Sequence, residues 1–493
     1  MLESQPAYGG AVRSARDVHP DFVHDTFSSF HPLALVSPPM RAMRLEEHGL
    51  TWSHAPAVVG TPFLGGGWAL MHRDRDRTAG GLDARTPGDG EAWLRMCRTW
   101  DRVGDDIVDA LLTPFPPVRH GARAAARLPG PGALSLLRGI AGSAHGLAER
   151  DFRGAAARML LAGNAAHGDA SLRAAGSGVV GLMLAMTGQR HGYPAPFGGA
   201  GMLAQALADR FVALGGRIRC GTRVSGVVVR NGRAVGVRTA DESFPARRAV
   251  LADVPAPTLY GGLVPWDDLP SRTRRLMRWF RWDPGTVKVD WALDGPVPWG
   301  DQPDAAPGTV HLGETVEEIE VFQQQVYAGA VPSRPFVLMG QMATVDPTRA
   351  PAGGESAWAY THVPQRTASD AGGDRITGAW DPDDTERMAD RIQARVEEYA
   401  PGFGSRVLAR RVLGPRQLHS RDENLHGGAL NGGTAALRQQ LVLRPVPGLG
   451  RAETPVRGLF LASASAHPGG GVHGACGANA ARAALARDRR DHK

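Results

Sequence analysis

The sequence predicts an α/β protein, and three observations carry that reading. A glycine turn, a helix and a stop at 196–216 lead into a series of short β-rich runs, and the chain closes on a buried strand, a glycine loop and a helix. The composition, 42% hydrophobic and 21% charged over 493 residues, is that of an ordinary globular chain. Such a length can bury a large core or several smaller ones, and the same numbers exclude fibrous, collagen-like and wholly disordered classes.

Taken in order, residues 1–60 read as loop and helix, with breaks at Gly9 and Gly10, an aromatic and proline-rich stretch from Phe22 to Pro39, and a helical piece over 40–48. Trp93, Leu94, Cys97, Trp100, Val103, Ile107, Ala110 and Leu111 fall at the spacing of an amphipathic helix over 91–112. A helical region continues to Gly188, interrupted by the Pro/Gly segment 129–132. After Pro196–Gly201 a helix places Leu203, Ala206, Leu207, Phe211 and Leu214 on one face and stops at Gly215 and Gly216. Runs at 217–220, 224–230 and 234–239 read as strands, the last two joined by an Asn231-Gly232 hairpin turn, and 249–252 as a further buried strand. Strands are expected at 286–293 and 336–342, a helix at 384–399 with Met388, Ile392, Val396 and Tyr399 in phase, a short buried strand at 458–462 and a final helix at 478–487.

The net charge of +7 invites a nucleic-acid reading, but only two of the 56 basic residues are lysines, Lys288 and Lys493. The arginines alternate with acids, as in Arg73-Asp74-Arg75-Asp76-Arg77, and no DNA-reading motif is present, so no nucleic-acid partner is expected. Cys97, Cys220 and Cys476 are too far apart for a dithiol motif or a disulfide framework. No signal-peptide pattern and no apolar run long enough to cross a bilayer appears, which sets the expectation of a cytoplasmic protein.

The most specific segment is Ser463 to Gly477, between the last strand and the last helix. Its glycines let backbone approach a flat ligand, and the helix N-terminus behind it offers N–H groups to a carbonyl or anion, as the pyrimidine side of a flavin requires. A plain strand–glycine–helix turn has the same outline. His467, His473 and Cys476 have the chemistry of metal ligands, yet three on one glycine loop without a fourth make a poor site, and no metal is expected. Trp282, Trp291, Trp299 and Trp358 read as core or pocket lining, and Arg410-Arg411 as a solvated face.

Ser463–Gly477, with Leu459–Ala462 before it, resembles the C-terminal flavin-binding signature of the phytoene desaturase-like FAD-dependent oxidoreductases, within the broader amine-oxidase-like flavoproteins. Pro196–Gly216, the strands to Val237 and the glycine segment Asn424–Gly433 resemble the same family, and the likeness is strongest to its branch called pyridine nucleotide-disulfide oxidoreductase domain-containing protein 2. The likeness covers nearly the whole chain. It implies an FAD/NAD(P)-binding Rossmann-like domain, N-terminally truncated, built from 1–70, 195–265 and 441–493, with an α+β substrate domain from 71–194 and 266–440 inserted into it. The family opens with a strand, a G-x-G-x-x-G turn, a helix and a second strand ending in an acid that holds the adenosine ribose. Glu3 falls where that acid belongs, so roughly thirty residues with the pyrophosphate cradle are expected ahead of it. Either the sequence starts at an internal methionine of a longer protein, the favoured reading because a sheet without its central strand leaves apolar surface uncovered, or it is a short form with weakened or lost cofactor binding.

The resemblance implies FAD as cofactor, with contacts at Glu3, Gly9, Gly10, Arg13, Ser14, Val224, Ser463, His467, Pro468, Gly469, Gly470, Gly471, Val472 and His473. Without it, Glu3 reads as a solvated acid, Gly9-Gly10 as any loop and Val224 as strand core. The implied activity is hydride transfer between an apolar, polyene or lipid-like substrate and the flavin, in the manner of a desaturase or saturase. The alternatives are a flavin-dependent isomerase without net redox change and a regulatory protein that lost the cofactor loop. No catalytic acid or base is assigned by spacing. An apolar substrate and a positive charge are also compatible with peripheral contact at a membrane surface.

Overall fold

The computed structural model describes residues 1–127 and 138–491. At its centre is a seven-stranded sheet of β1 (Ala57–Pro62), β2 (Trp68–Met71), β3 (Gly285–Leu293), β4 (Pro307–Leu312), β5 (Val337–Gln341), β6 (Glu355–Val363) and β7 (Val407–Leu413). Their spatial order is β7-β3-β6-β5-β4-β1-β2, antiparallel throughout except for the parallel β4–β1 pair. Residues 57–71 supply two strands of this sheet, alongside strands from 285–413.

Strand side chains alternate between faces, so one strand assigns both. In β3, Val287, Val289, Trp291 and Leu293 join Val310, Met339 and Ala359 of the neighbouring strands against Met388, Ile392 and Val396. Those last three lie on the helix Pro382–Tyr399, which starts under Asp381 as an N-cap, its side chain accepting from the Asp384 N–H. The other parity of β3, Thr286, Lys288 and Asp290, faces the opposite way. Register places Lys288 beside Tyr360, Tyr360 beside Leu338, and Leu338 beside His311, with Trp358, Gly340 and Thr309 one step along. One face of this sheet is therefore hydrocarbon and the other is largely polar.

Helices cover the polar face: α1 (Asp89–Leu112), α2 (Ala155–Ala165) and α3 (Ser177–His191) pack together through Trp93, Cys97, Trp100, Leu160, Leu161, Leu182 and Met186. The predicted 91–112 helix is present with its apolar stripe buried. The Pro/Gly interruption at 129–132 lies outside the described residues.

On the cofactor side the Asn231-Gly232 hairpin forms as predicted, joining Gly226–Arg230 to Arg233–Arg238 with φ of 50° and 69° at the two turn residues. The strand Leu459–Leu461 pairs in parallel with Val250–Ala252. Two expectations are corrected there. Arg217–Cys220 is no strand but contributes one parallel bridge, Arg219 to Leu2, and Leu251, expected in a buried strand, is 45% exposed because its outer flank faces a cavity instead of a neighbouring strand. The helix Gly201–Ala213 buries Leu203, Ala204, Ala206 and Ala208, whereas Phe211 and Leu214, placed by sequence on the same face, are exposed. The last helix is longer than expected, Ala475–Asp491. Among the described residues no helix is long and apolar enough to cross a membrane.

Candidate functional site

One cavity of about 1980 Å³ runs from the parallel strand pair to the polar face of the seven-stranded sheet. Ordinary small-molecule pockets reach about 1,000 Å³, so this volume accommodates a dinucleotide-sized ligand together with a second molecule. At one end lie Glu3, Gly9, Gly10 and Val224; in the middle Ser463, His467, Pro468, Gly470, Gly471, Val472 and His473; at the far end Thr286, Lys288, Thr309, Trp358 and Tyr360 of the sheet. The structure thus brings eleven of the fourteen predicted contacts to one wall. Arg13, Ser14 and Gly469 lie off it.

Each of those three has a structural task. Ser14 donates to Asp25 and accepts from the Gly201 N–H, and Asp25 also accepts from the Ala200 N–H and from both terminal nitrogens of Arg349. This network, anchored on the fully buried Asp25 and Arg349, holds the glycine turn that opens the helix Gly201–Ala213. Arg13 donates to the Arg421 carbonyl and lies over Phe27, 5.2 Å from the ring centroid. Gly469, with φ +116°, packs on Arg444, where an added Cβ would sit 3.2 Å from the guanidinium carbon.

Glu3 is placed by sheet-like pairing: its N–H donates to Arg219 and its carbonyl accepts from Thr222. Its carboxylate accepts from the Gln5 N–H at 2.8 Å, which fixes it at the cavity edge. Asp253 and Asp422 also line this end, and burial first, then each other's charge and that of Glu3, raises the Asp253 carboxyl to about 6.

The 463–474 loop is built to leave its own donors free. His473 accepts the Ala475 N–H at Nδ1, capping the last helix, and donates Nε2–H to the Gly469 carbonyl at 3.2 Å. With both nitrogens engaged and burial driving its pKa to about 4, it is a neutral brace of the loop, although its side lines the cavity. His467 donates Nε2–H to the Thr113 carbonyl and keeps a buried Nδ1 without a partner among the described residues. The Cys476 thiol is turned toward the Ala466 and Gly469 carbonyls and pushed up to about 11 by burial. By contrast, the N–H groups of Gly470, Gly471 and Val472 find no acceptor among the described residues. Three successive free amides beside a helix N-terminus are what an electron-rich carbonyl or anionic ring edge requires. No group of residues suited to a metal occurs among the described residues.

A second glycine loop, 429–434, closes against the first. A Cβ on Gly470 would come within 2.4 Å of Asn431 Oδ1 and 2.8 Å of its Cα, so the two backbones meet there only because Gly470 has no side chain. Buried charges hold this loop from both sides. Asp283, fully buried, accepts from the N–H of Leu430, Asn431 and Gly433, and Asp169 accepts from Ala435 N–H and the Thr434 hydroxyl. Arg444, 1% exposed, donates to the carbonyls of Asn431, Gly433, Thr434 and Ala464. Sequence reasoning missed Arg444, Asp169 and Asp283. Nothing in their local pattern separates them from surface charges.

It also missed Lys288, for which a signal existed: it is one of two lysines in the chain and sits in an apolar strand. Its ammonium donates to the Asp25 carbonyl and to the Asp290 carboxylate, leaving a third N–H at the cavity wall, and burial lowers its pKa. Arg411, expected on a solvated face, is instead half-buried, its side chain 9% exposed, and pairs with Asp290 and Asp17. Trp291, Trp299 and Trp358 are buried as expected, and Trp358 lies flat across Gly340, stacked on Tyr360 at 6.0 Å.

The sequence profile of flavin containing amine oxidoreductases matches residues 133–485. A mouse protein, pyridine nucleotide-disulfide oxidoreductase domain-containing protein 2, is 32% identical over 296 residues, 58% of this chain and 49% of that protein. The lycopene-forming phytoene desaturase of Pseudescherichia vulneris is 24% identical over 59% of this chain and 55% of its own length. The chain therefore spans about half the length of the curated relatives it matches. Among solved structures, an oxidoreductase from Methanosarcina mazei superposes with a TM-score of 0.59 at 14% identity, covering 98% of this chain and 93% of the other. Cyclohexylamine oxidase from Brevibacterium oxydans superposes at 0.57, also at 14% identity, covering 100% and 93%. These two likenesses establish the fold.

Proposed function

The chain belongs to the flavin containing amine oxidoreductases, and from that premise we propose that it is an FAD-dependent oxidoreductase acting on an elongated, largely apolar substrate. The observation that carries the reading is the single cavity joining Glu3, the free amides of Gly470–Val472 and an apolar corridor. The residues present suit the two ends of FAD: Glu3 would hold a ribose and the glycine loop the pyrimidine edge. When bound, FAD supplies the two-electron acceptor or donor that the protein lacks, so that a double bond can be formed or saturated.

The chain's own residues do the rest. The Gly470, Gly471 and Val472 amides stabilise negative charge at the cavity wall without reorganising, because Arg444, Asp283 and His473 already fix both loops. Leu111, Leu112, Val180, Met183 and Leu184 line the corridor and exclude water from a substrate laid along it. Lys288, wedged between Asp25 and Asp290, presents one N–H to the far end of the cavity.

The test is anaerobic mixing of FAD-loaded protein with phytoene-like polyenes. Stoichiometric bleaching of the flavin is expected. Isomerised polyene with the flavin still oxidised supports the isomerase reading instead, and a protein that fails to take up FAD at all refutes both.

A further inference from the structure

The far end of the cavity is polar in a way that a pure hydrocarbon would not use. On one face of β3, β6, β5 and β4 stand Lys288, Tyr360 and Thr309, all on the cavity wall. Thr309 is 1% exposed and its hydroxyl has no partner among the described residues, an unusual expense for a buried polar group. Its neighbour His311, fully buried behind it, shares a 2.9 Å hydrogen bond between its own Nε2 and Nε2 of His167, which lines the cavity.

That bond fixes both tautomers. One imidazole must carry its proton on Nε2 and the other must accept there. His311 Nδ1 is buried without a partner among the described residues, packed where an added Cβ on Gly163 would come within 2.4 Å of it. An orphaned acceptor costs less than an orphaned N–H, so His311 leaves Nδ1 bare and donates from Nε2. His167 accepts at Nε2 and therefore carries its hydrogen on Nδ1, for which no protein acceptor is found among the described residues. Burial holds both rings neutral, His167 with a pKa of about 4.

The wall therefore offers donors: Thr309 O–H, His167 Nδ1–H, the third N–H of Lys288 and the Tyr360 hydroxyl. It offers no net charge. Lys288, Arg349, Arg411 and Arg421 are matched by Asp17, Asp25, Asp290 and Asp346 in one connected cluster, so the lysine is already compensated. A carboxylate brought here would lose its water without gaining a free cation. A carbonyl oxygen, neutral and rich in lone pairs, is the group that matches.

We propose that the cavity takes its substrate by a neutral carbonyl oxygen, held at Thr309 and His167, with the apolar remainder lying along Leu111, Leu112, Val180, Met183 and Leu184. This deepens the FAD-dependent reading above and rests on it.

The experiment uses FAD-loaded protein, with bound flavin measured first. A protein without flavin counts against the proposed function, whereas a loaded protein without the preference below counts against this inference alone. Nonan-2-one, n-nonane and nonanoate are titrated, with binding read from the flavin absorbance difference and by calorimetry. The ketone should bind about tenfold more tightly than either of the others, the worth of one or two net hydrogen bonds. Thr309→Val and His167→Phe should each cut that preference several-fold while leaving nonane affinity unchanged, and Thr309→Ser, which keeps the hydroxyl, should preserve it. Equal affinity for ketone and alkane, tightest binding of nonanoate, or a preference that survives both Thr309→Val and His167→Phe overturns the proposal.

Discussion

Replacing Arg444 with methionine tests how the site is held together. The guanidinium is 1% exposed and makes five hydrogen bonds to four backbone carbonyls, those of Asn431, Gly433, Thr434 and Ala464. Its removal leaves those carbonyls facing an aliphatic chain, at about 1 kcal/mol each, or about 4 kcal/mol in all. Part of this is returned, because burying a guanidinium is itself costly, as the lowering of its pKa by desolvation indicates. A net loss of about 3 kcal/mol is expected, within the range seen when one member of a buried charged network is removed. Because Arg444 joins the 431–434 loop to Ala464 and backs Gly469, the loss should fall on the cofactor loop. Arg444→Met should therefore lower the thermal and urea midpoints and weaken FAD binding by tenfold or more, and Arg444→Lys, which keeps charge but not the planar fork, should fall between. Bound flavin is read by absorbance after gel filtration, and unfolding by far-UV circular dichroism. If Arg444→Met shifts neither the midpoints nor the flavin content, the loop is not held in the way described.

Further outcomes follow from the same geometry. Gly470→Ala places a methyl against Asn431 backbone and should reduce flavin content at least tenfold, whereas Gly477→Ala, in open space on the last helix, should be neutral or stabilise by up to about 1 kcal/mol; equal flavin content in the two variants would contradict the close approach of the loops. His31 and His473, both driven to about 4 by burial, bind protons only after unfolding, where the ordinary value is near 6.5. Stability from these groups is complete above pH 6.5 and is lost as pH falls toward 4, by about 3 kcal/mol per imidazole at the limit, so unfolding midpoints should drop across that window; a flat profile from 6.5 to 4 counts against their buried neutral state. Of the three cysteines, Cys97 and Cys476 are buried with thiols pushed up to about 12 and about 11, so an aromatic disulfide reagent should titrate one native thiol, Cys220, and all three after unfolding; rapid labelling that persists in Cys220→Ser is the contrary result.

What was legible in the sequence was whatever local chemistry enforces. Asn231-Gly232 announces a hairpin because both residues tolerate positive φ, and the stripe from Trp93 to Ile107 announces a helix because its period is helical. The glycine loop was legible for a related reason, since glycines concentrated between strand and helix have few other uses. Ser14 and Arg13 were assigned to the cofactor by likeness, yet their partners are met only in the fold, Asp25 across a two-residue strand pair and the Arg421 carbonyl far along the chain. Leu251 shows the converse limit: an apolar residue in a strand reads as buried, and only the position of the cavity reveals an open flank. Arg411 read as surface because charged pairs in sequence usually are, and only the register of β7 against β3 places it opposite Asp290.

The alternation of the central sheet carries the deeper lesson. A strand buried on both faces is expected to read as continuous hydrophobic sequence. All nine residues of β3 are buried, yet three of the four alternate ones on one face are polar: Thr286, Lys288 and Asp290, with Ala292 the exception. Such a pattern would ordinarily announce a solvated face, and here the solvent is replaced by helices, by a matched set of ion pairs and by a ligand cavity. Lys288 is tolerable only because Asp290 and the Asp25 carbonyl meet two of its three donors, and Asp290 only because Arg411 shares it. Substituting Lys288 with methionine would therefore leave Asp290 with Arg411 as its remaining cation and remove one donor from the cavity wall. The Asp25 carbonyl and one Asp290 oxygen would lose their donor, so stability falls although Arg411 remains on Asp290, and a ligand oxygen at that wall would lose a partner. A polar alternation on a strand with no access to bulk water is thus a sign of a site, and in this chain it points to the same wall that the cavity does.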